Sequence, residues 1–451
     1  MDLRDSDVNA SKMIARLWLA CASIAFASTL SIAQDGGQPQ FAKILEGYAI
    51  RPPWKVAGVD YYVGVPLQTA LKAPASISMP GVAIDASTHV VTISGSNITL
   101  SGYDFSADGG WQVAVTNKAS NVTISNSFFK VGSNRQNPVM AEFAGSIRIT
   151  SNTFDGGASS GNFTNSMIYS GAYSNLIQSN RFTNFADDAI DIAKSASSVI
   201  IEYNLFDTMN RGEYHTDCIQ TYDTTGNGQN ISGLIIRYNT MYQPPNWPGR
   251  MNAFSRIGDQ GKGIVQGPVA THNTIIMPAG AGNSASGFQW GIGDPGTLVN
   301  PSIHDNYFDG RGILYANISV YLHKGVVNPT TYNNINLTDG KPVLLGPYES
   351  KTSGVPIKPP TVPTIGAVEI VGTNQVKLSG TAFPRTTINL RDKDALLGTV
   401  QTANSGTWSF TTNHLLTSDH AFTATATDTY ANTSAASPIS SVSLNNGQIG
   451  R

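Results

Sequence analysis

A short phrase recurs down this chain: apolar residues at alternate positions, then Asn, one residue, then an apolar residue. It reads Val122-Thr-Ile-Ser-Asn126-Ser-Phe128, Ile147-Arg-Ile-Thr-Ser-Asn152-Thr-Phe154, Leu176-Ile-Gln-Ser-Asn180-Arg-Phe182 and Val199-Ile-Ile-Glu-Tyr-Asn204-Leu-Phe206. It continues as Leu234-Ile-Ile-Arg-Tyr-Asn239-Thr-Met241, Val269-Ala-Thr-His-Asn273-Thr-Ile275 and Ile303-His-Asp-Asn306-Tyr-Phe308. The asparagines are offset by 26 (152−126), 28 (180−152), 24 (204−180), 35 (239−204), 34 (273−239) and 33 (306−273). One strand-turn unit repeated at this period predicts coils that stack, each burying its apolar face only against its neighbours. Period-2 alternation makes the unit a strand. The Asn is expected to occupy a left-handed turn position, which its short polar side chain tolerates, and the stacked side chains to bond along the axis.

The phrase resembles the parallel β-helix repeat of the pectate-lyase-like superfamily over roughly residues 80–340. The resemblance implies an all-β fold, a right-handed parallel β-helix solenoid. Residues 34–80, mixed in pattern and holding Arg51-Pro-Pro-Trp54, are read as the N-terminal cap that an open solenoid end requires. The solenoid is expected over 81–346. Residues 347–363 carry Pro347, Pro356, Pro359, Pro360 and Pro363 and read as a semi-rigid linker. From 364 to 451 short alternating segments separated by turns predict a small β-sandwich. Its run of Ser379-Gly-Thr-Ala, Gly406-Thr-Trp-Ser-Phe410 and Thr423-Ala-Thr-Ala-Thr-Asp428 resembles bacterial Ig-like repeats of surface and secreted proteins. Trp408 is expected in the core of that sandwich rather than as a sugar platform.

Composition removes several classes of function. Net charge is −2 and charged residues make up 13%, without the basic excess of a nucleic-acid binder. An apolar content of 40% excludes a disordered chain. Residues 1–33 read as a secretory signal peptide: an apolar run from Leu17 follows Lys12 and Arg16 and ends in Ser31-Ile-Ala33. Lipid attachment at Cys21 and an uncleaved anchor are the alternatives. The mature chain would then hold Cys218 alone, so no internal disulfide braces it. The expected location is secreted, periplasmic or cell-surface, with no membrane span after signal removal and a monomeric state.

The coils between Asn204 and Asn306 are the longest, and extra residues in a solenoid go to loops on one side, often the binding side. The same stretch holds Arg211-Gly-Glu-Tyr-His215-Thr-Asp217-Cys-Ile-Gln220-Thr-Tyr222. Aligning coils on their apolar residues stacks Val113, Val139, Ile168, Ile190 and Ile219 inward, with Val115, Ala141, Ser170, Ile192 and Thr221 as the next inward row. Ala114, Met140, Tyr169, Asp191 and Gln220 then face solvent, and Asp188 lies beneath Asp217 at the strand spacing of about 4.8 Å.

This arrangement suits an anionic polysaccharide lying along the coils. β-Elimination at a uronic acid needs a neutralised carboxylate, a base for the adjacent proton and an acid for the leaving oxygen. Arg211, Lys194, Arg256 and Lys262 are candidate neutralising or substrate-binding cations. His215 or Tyr222 is the candidate base, with Asp217 orienting the imidazole. Asp188 joins them as a catalytic candidate, and Tyr169, Asp191, Gln220 and Tyr222 as substrate contacts. Paired carboxylates could instead hold Ca²⁺; no cofactor is otherwise implied. Each residue has a plainer reading: aspartates bond local backbone at turns, and Cys218 packs as a small apolar residue.

A glycoside hydrolase would use the same carboxylates as acid and base. Polygalacturonase-type hydrolases of the superfamily carry Asn-Thr-Asp, then Gly-Asp-Asp a coil later, then His-Gly and Arg-x-Lys. Here Thr216-Asp217 follows Asp187-Asp188, and the last two phrases are missing from the solenoid. His215-Thr-Asp217-Cys-Ile-Gln220 is similar to a phrase in β-helix proteins of bacterial exopolysaccharide systems. The sequence therefore leaves open a polysaccharide lyase or epimerase, a hydrolase, and a non-catalytic glycan-binding or adhesive surface protein, with the lyase first.

Overall fold

The computed structural model describes residues 38–132, 137–157, 166–193, 196–209, 216–222, 230–247, 252–259, 263–279, 286–291, 298–311, 318–323, 325–345, 361–372, 374–382, 386–403, 406–413, 415, 418–427 and 433–444. Residues 1–33, the Pro-rich segment 347–360, and Lys194, Arg211, His215 and Lys262 lie outside them. Among the described residues no helix is long and apolar enough to cross a membrane.

Alternating apolar residues force each repeat into strands, and the strands stack in register into a parallel β-helix. Three long sheets result. An eleven-stranded sheet contains Gln112–Val115, Val139–Ala141, Ser166–Ser170, Asp188–Ile192, Asp217–Tyr222, Ala253–Asp259, Ser286–Trp290 and Ile318–Leu322. A nine-stranded sheet holds the strands before each Asn, among them Ser174–Gln178 and Ser198–Glu202, and a second nine-stranded sheet those after it, such as Arg181–Thr183 and Leu205–Asp207. The core is one continuous apolar column. Within it Phe105, Phe129, Phe154, Phe182 and Phe206 stack ring on ring at 4.6, 4.7, 5.0 and 5.0 Å. Burying each ring contributes about 2–3 kcal/mol, and the stacking fixes the register of one coil on the next.

The asparagine ladder forms, with one displacement. Asn152, Asn180, Asn204, Asn239, Asn273, Asn306 and Asn334 are buried, and each Oδ1 from Asn180 onward accepts from the Nδ2 of the Asn one coil earlier at 2.9–3.1 Å. The left-handed residue is not the ladder Asn but the residue before it: Ser151, Ser179, Tyr203, Tyr238, His272, Asp305 and Asn333 all have φ between 54° and 58°. In the first of these coils Asn126 itself is left-handed (φ 50°), and Ser127 takes the ladder position, its N–H donating to Asn152 Oδ1 at 2.9 Å. The Phe129–Phe154 pairing confirms the shift. The unit keeps the length of its successor, Val122 to Phe129 pairing with Ile147 to Phe154, so aligning on Asn alone misplaces it by one residue.

The long coils do not put all their extra residues into loops. Ile231–Ser232, Val265–Gln266, Leu298–Val299 and Val326–Val327 pair as a fourth parallel sheet. A short strand in each of these coils satisfies backbone that an open loop would leave to water.

Residues 38–72 lie along the flank of the solenoid. Ile50 N–H donates to Leu337 in the last coil, Gly64 N–H to Ser179 midway, and Lys72 N–H to Gly102 in the first. Trp54 packs against Tyr238, His272 and Tyr307, and Tyr61 and Ala57 against Leu205. The segment straps successive coils together instead of closing one end, because the second nine-stranded sheet carries apolar side chains on its outer face. At the N-terminal edge, Val82–Asp85 pairs antiparallel with Val90–Ile93, and Ile77 joins the apolar column.

Residues 364–443 build two antiparallel sheets, one of Thr364–Gly372, Gln375–Thr381 and Thr407–Thr411, the other of Thr387–Asp392, Ala395–Gln401, Asp419–Thr427 and Ser440–Ser443. Trp408 is 4% exposed among Val376, Leu378, Leu390 and Phe422, a core residue as expected.

Candidate functional site on the eleven-stranded sheet

The pairing of adjacent strands fixes which side chains share the outer face. Ala114, Met140, Tyr169, Asp191 and Gln220 form one outward row, and the row continues through Arg256, Gln289 and Tyr321. The inward rows Val113–Val139–Ile168–Ile190–Ile219 and Val115–Ala141–Ser170–Ile192–Thr221 stand as the alignment places them. A register shift between Gln220 and Tyr222 ends the regular pairing there. Nothing is described of the Tyr222 side chain.

The outward row differs from expectation in its exposure. Tyr169, Asp191 and Gln220 are buried, at 6%, 3% and 2%. Asp188 and Asp217, at 4% and 0%, are buried too, so Asp217 is not the exposed residue that a substrate contact requires. Further along, Arg256, Gln289, Tyr321 and His323 are half-buried and reach solvent. Ala114 and Met140, in the first coils, are half-buried too, so the polar accessible part of the row lies in coils later than the His215–Asp217 phrase.

The two parts have different electrostatics. Asp217 N–H donates to Asp188 Oδ1 at 2.8 Å, and Asn252 Nδ2 donates to Asp217 Oδ1 at 2.9 Å. Burial, then the neighbouring Asp191, Asp217 and Asp187, pushes the Asp188 carboxyl well above the usual carboxylate range. Asp191 is raised well above that range by burial, then by Asp187 and Asp217, and its Oδ1 finds no hydrogen-bond partner among the described residues. Like charges a coil apart in a dry site cannot all ionise, so this cluster keeps protons. Among the described residues no group of three or more His, Cys, Asp or Glu side chains is arranged to hold a metal ion. Cys218 is buried in the apolar column with its Sγ 3.5 Å from Met209 Sδ, and burial pushes its thiol up. It is a packing residue.

Arg256 stands two coils from Asp191, about 10 Å at the strand spacing. His323 follows the strand carrying Tyr321 and lies against the Tyr321 ring, with centroids 4.2 Å apart. Burial, then the positive charge of Arg256, lowers the His323 pKa to about 4. The imidazole is thus neutral near pH 7, and its Nε2 is buried with no hydrogen-bond partner among the described residues. Arg256 was a sequence candidate; Gln289, Tyr321, His323 and Asn252 were not. The signal for Gln289 and Tyr321 was present, since carrying the outward row three coils past Gln220 reaches them through Arg256, and His323 follows two residues on.

Residues 360–442 match the sequence family described as Bacterial Ig domain, in agreement with the sandwich. No curated protein matches the chain. Among solved structures, the chitinase ChiW of Paenibacillus sp. str. FPU-7, described as a bacterial cell-surface-expressed multi-modular enzyme, is 11% identical with a TM-score of 0.19. The match covers 78% of this chain and 24% of that one, so the chain spans about a quarter of the length of that enzyme. A likeness of this size says nothing about chemistry.

Proposed function

We propose that the chain is an extracellular polysaccharide lyase that binds an anionic glycan along the outer face of the eleven-stranded sheet. The observation that carries this reading is the neutral His323 held beside Arg256 on the accessible stretch of that face. Arg256 pairs with the uronate carboxylate and makes the proton on the adjoining carbon acidic. His323 accepts that proton. The electron pair left behind forms the ring double bond, the bond to the glycosidic oxygen breaks, and that oxygen takes a proton from the Tyr321 hydroxyl. Gln289, one coil beyond Arg256, offers its amide to a neighbouring sugar hydroxyl. Arg211, Lys194 and Lys262 remain candidates for further carboxylates, and His215 for a second base. The Ig domain match and the leader-like run of residues 17–33 support a place outside the cytoplasm.

The test is incubation with a panel of uronate polysaccharides, followed by ultraviolet absorbance of the conjugated product. Arg256→Gln and His323→Ala should each remove activity by a factor of about 10² or more while the fold is kept. A hydrolase is the second reading, favoured by the proton-holding carboxyls of Asp188 and Asp191, which a general acid needs. It would give reducing ends without the absorbance, and would depend on Asp191 instead of His323. Retardation in a polysaccharide gel with no product would leave a binding protein.

A further inference from the structure

The flank strap creates a second concave site, on a different face from the one just described. A cavity of about 420 Å³ opens between the strap and the second nine-stranded sheet. That volume lies within the range of small-ligand sites. Tyr48 and Tyr242 line it, with Pro245 and Pro278, and Arg311 and Glu46 bring the charged groups. Its walls are fixed by bonds outside the apolar column. Tyr48 Oη donates to Asp309 Oδ2 at 2.5 Å, and Arg311 grips the same carboxylate through Nε and Nη2 at 2.9 and 2.8 Å. The Tyr242 ring is held edge-on by Phe41 at 4.8 Å.

The chemistry of this lining selects its ligand. Asp309 has no exposed side-chain surface and balances the charge of Arg311, whose side chain is 52% exposed. The guanidinium therefore offers N–H groups beyond its two bonds to Asp309 without offering a net positive charge. Glu46, exposed on the strap, supplies an acceptor. Planar donors, an acceptor and aromatic or proline faces in one cleft match a pyranose ring, which has hydroxyls at its edge and C–H bonds on its faces. We infer that this cleft binds a neutral saccharide, apart from the anionic-glycan face and without chemistry of its own. Such a site would keep the protein on a polymer while the other face works, by raising the local concentration of substrate.

The probe is a set of neutral β-linked gluco-, xylo-, manno- and N-acetylglucosamine oligosaccharides, with uronate oligomers as the comparison. Ligand-observed NMR on the whole chain reads binding. At least one neutral oligosaccharide should bind with a Kd of about 1 mM. Glu46→Ala should weaken it about tenfold with an unchanged thermal midpoint, Arg311→Lys should weaken it about tenfold with the solenoid still folded by circular dichroism, and Arg256→Gln should leave it unchanged. If no neutral oligosaccharide binds, or if binding survives both cleft substitutions, the inference is overturned. Binding of acidic oligomers alone, lost in Arg256→Gln, also overturns it while supporting the anionic-glycan face. Loss of lyase activity with cleft binding intact would refute the proposed reaction and leave this site standing.

Discussion

Replacing Asn204 by Ala tests whether the asparagine ladder carries the stability of the solenoid. Asn204 Oδ1 accepts from the backbone N–H of Asn180 at 2.9 Å and from its Nδ2 at 3.0 Å. Its own Nδ2 donates to the Ile177 carbonyl and to Asn239 Oδ1, both at 2.9 Å. Asn180 Nδ2 keeps Ile149 O, and Asn239 Oδ1 keeps the backbone N–H of residue 204. The Ala variant therefore strands one buried backbone group, Asn180 N–H, and takes one of two donors from Ile177 C=O, which keeps its strand pairing with the next coil. The orphaned donor costs about 1–3 kcal/mol, and the lost amide bond and small cavity add to this, so the loss should be about 2–4 kcal/mol. Urea unfolding followed by far-ultraviolet circular dichroism, fitted to the transition of the solenoid, measures it. Asn204→Asp separates bonding from volume. It keeps the acceptor but turns an oxygen toward Ile177 O and Asn239 Oδ1, which is tolerable only when that oxygen is protonated. Its folded pKa is then raised, so its stability should be best below about pH 4 and fall as pH rises. A loss below about 1 kcal/mol for the Ala variant, or a pH-independent Asp variant, would refute the argument.

Asp188 and Asp191 have raised folded pKa values, so the folded state holds the extra protons. Stability should decline as pH rises above the ordinary carboxylate value of about 4, and thermal midpoints of Asp191→Asn should decline less. His323 acts with the opposite sign: lowered to about 4, it contributes stability that is full above about pH 6.5 and lost as pH falls through that window. Its ring proton resonances should still report a neutral imidazole near pH 6, and a midpoint near 6.5 would contradict the proximity of Arg256 and burial as causes. Gly58 has φ 73°, and a Cβ there would lie 2.6 Å from Leu205 Cδ2. Gly58→Ala should release the strap, with hydrogen exchange rising at the N–H groups of Ile50 and Gly64 while Asn180 stays protected. Limited proteolysis should cut between Pro347 and Pro363 and release a folded Ig domain; a single cooperative unfolding with no cleavage would count against separate units.

The repeat was legible because its chemistry is local. An alternating apolar strand and a buried amide recur in every coil, and each coil meets the same neighbours. What could not be read was set by contacts at long sequence separation. Nothing in residues 38–72 says which surface they cover. Trp54, Tyr61 and Leu45 read as apolar residues suited to any interface, and their partners Tyr307, Leu205 and Leu337 lie more than a hundred positions away. The one-residue slip at Asn126 has a different origin. The left-handed position accepts Asn, Ser, Tyr, His or Asp, so an Asn there imitates the ladder Asn one residue later. Only the phenylalanine stack, Phe129 over Phe154, decides between them.

The site shows how far parity reasoning reaches. Alternation gave the correct rows, so Asp188 was rightly placed beside Asp217, and Asp191 beside Gln220. Parity assigns a face, however, and exposure depends on what lies over that face. Asp188 and Asp191, at 4% and 3% exposure, are poor contacts for a polymer and good reservoirs for protons. The same row becomes half-buried at Arg256 and stays so through Tyr321. There the charge changes sign, and the proposed base is an imidazole kept neutral by burial and by that charge. An anionic chain laid along this row would meet neutral, protonated carboxyls at one end and a guanidinium further on. Its carboxylate would therefore settle at Arg256, in the coils where His323 can reach the adjoining proton.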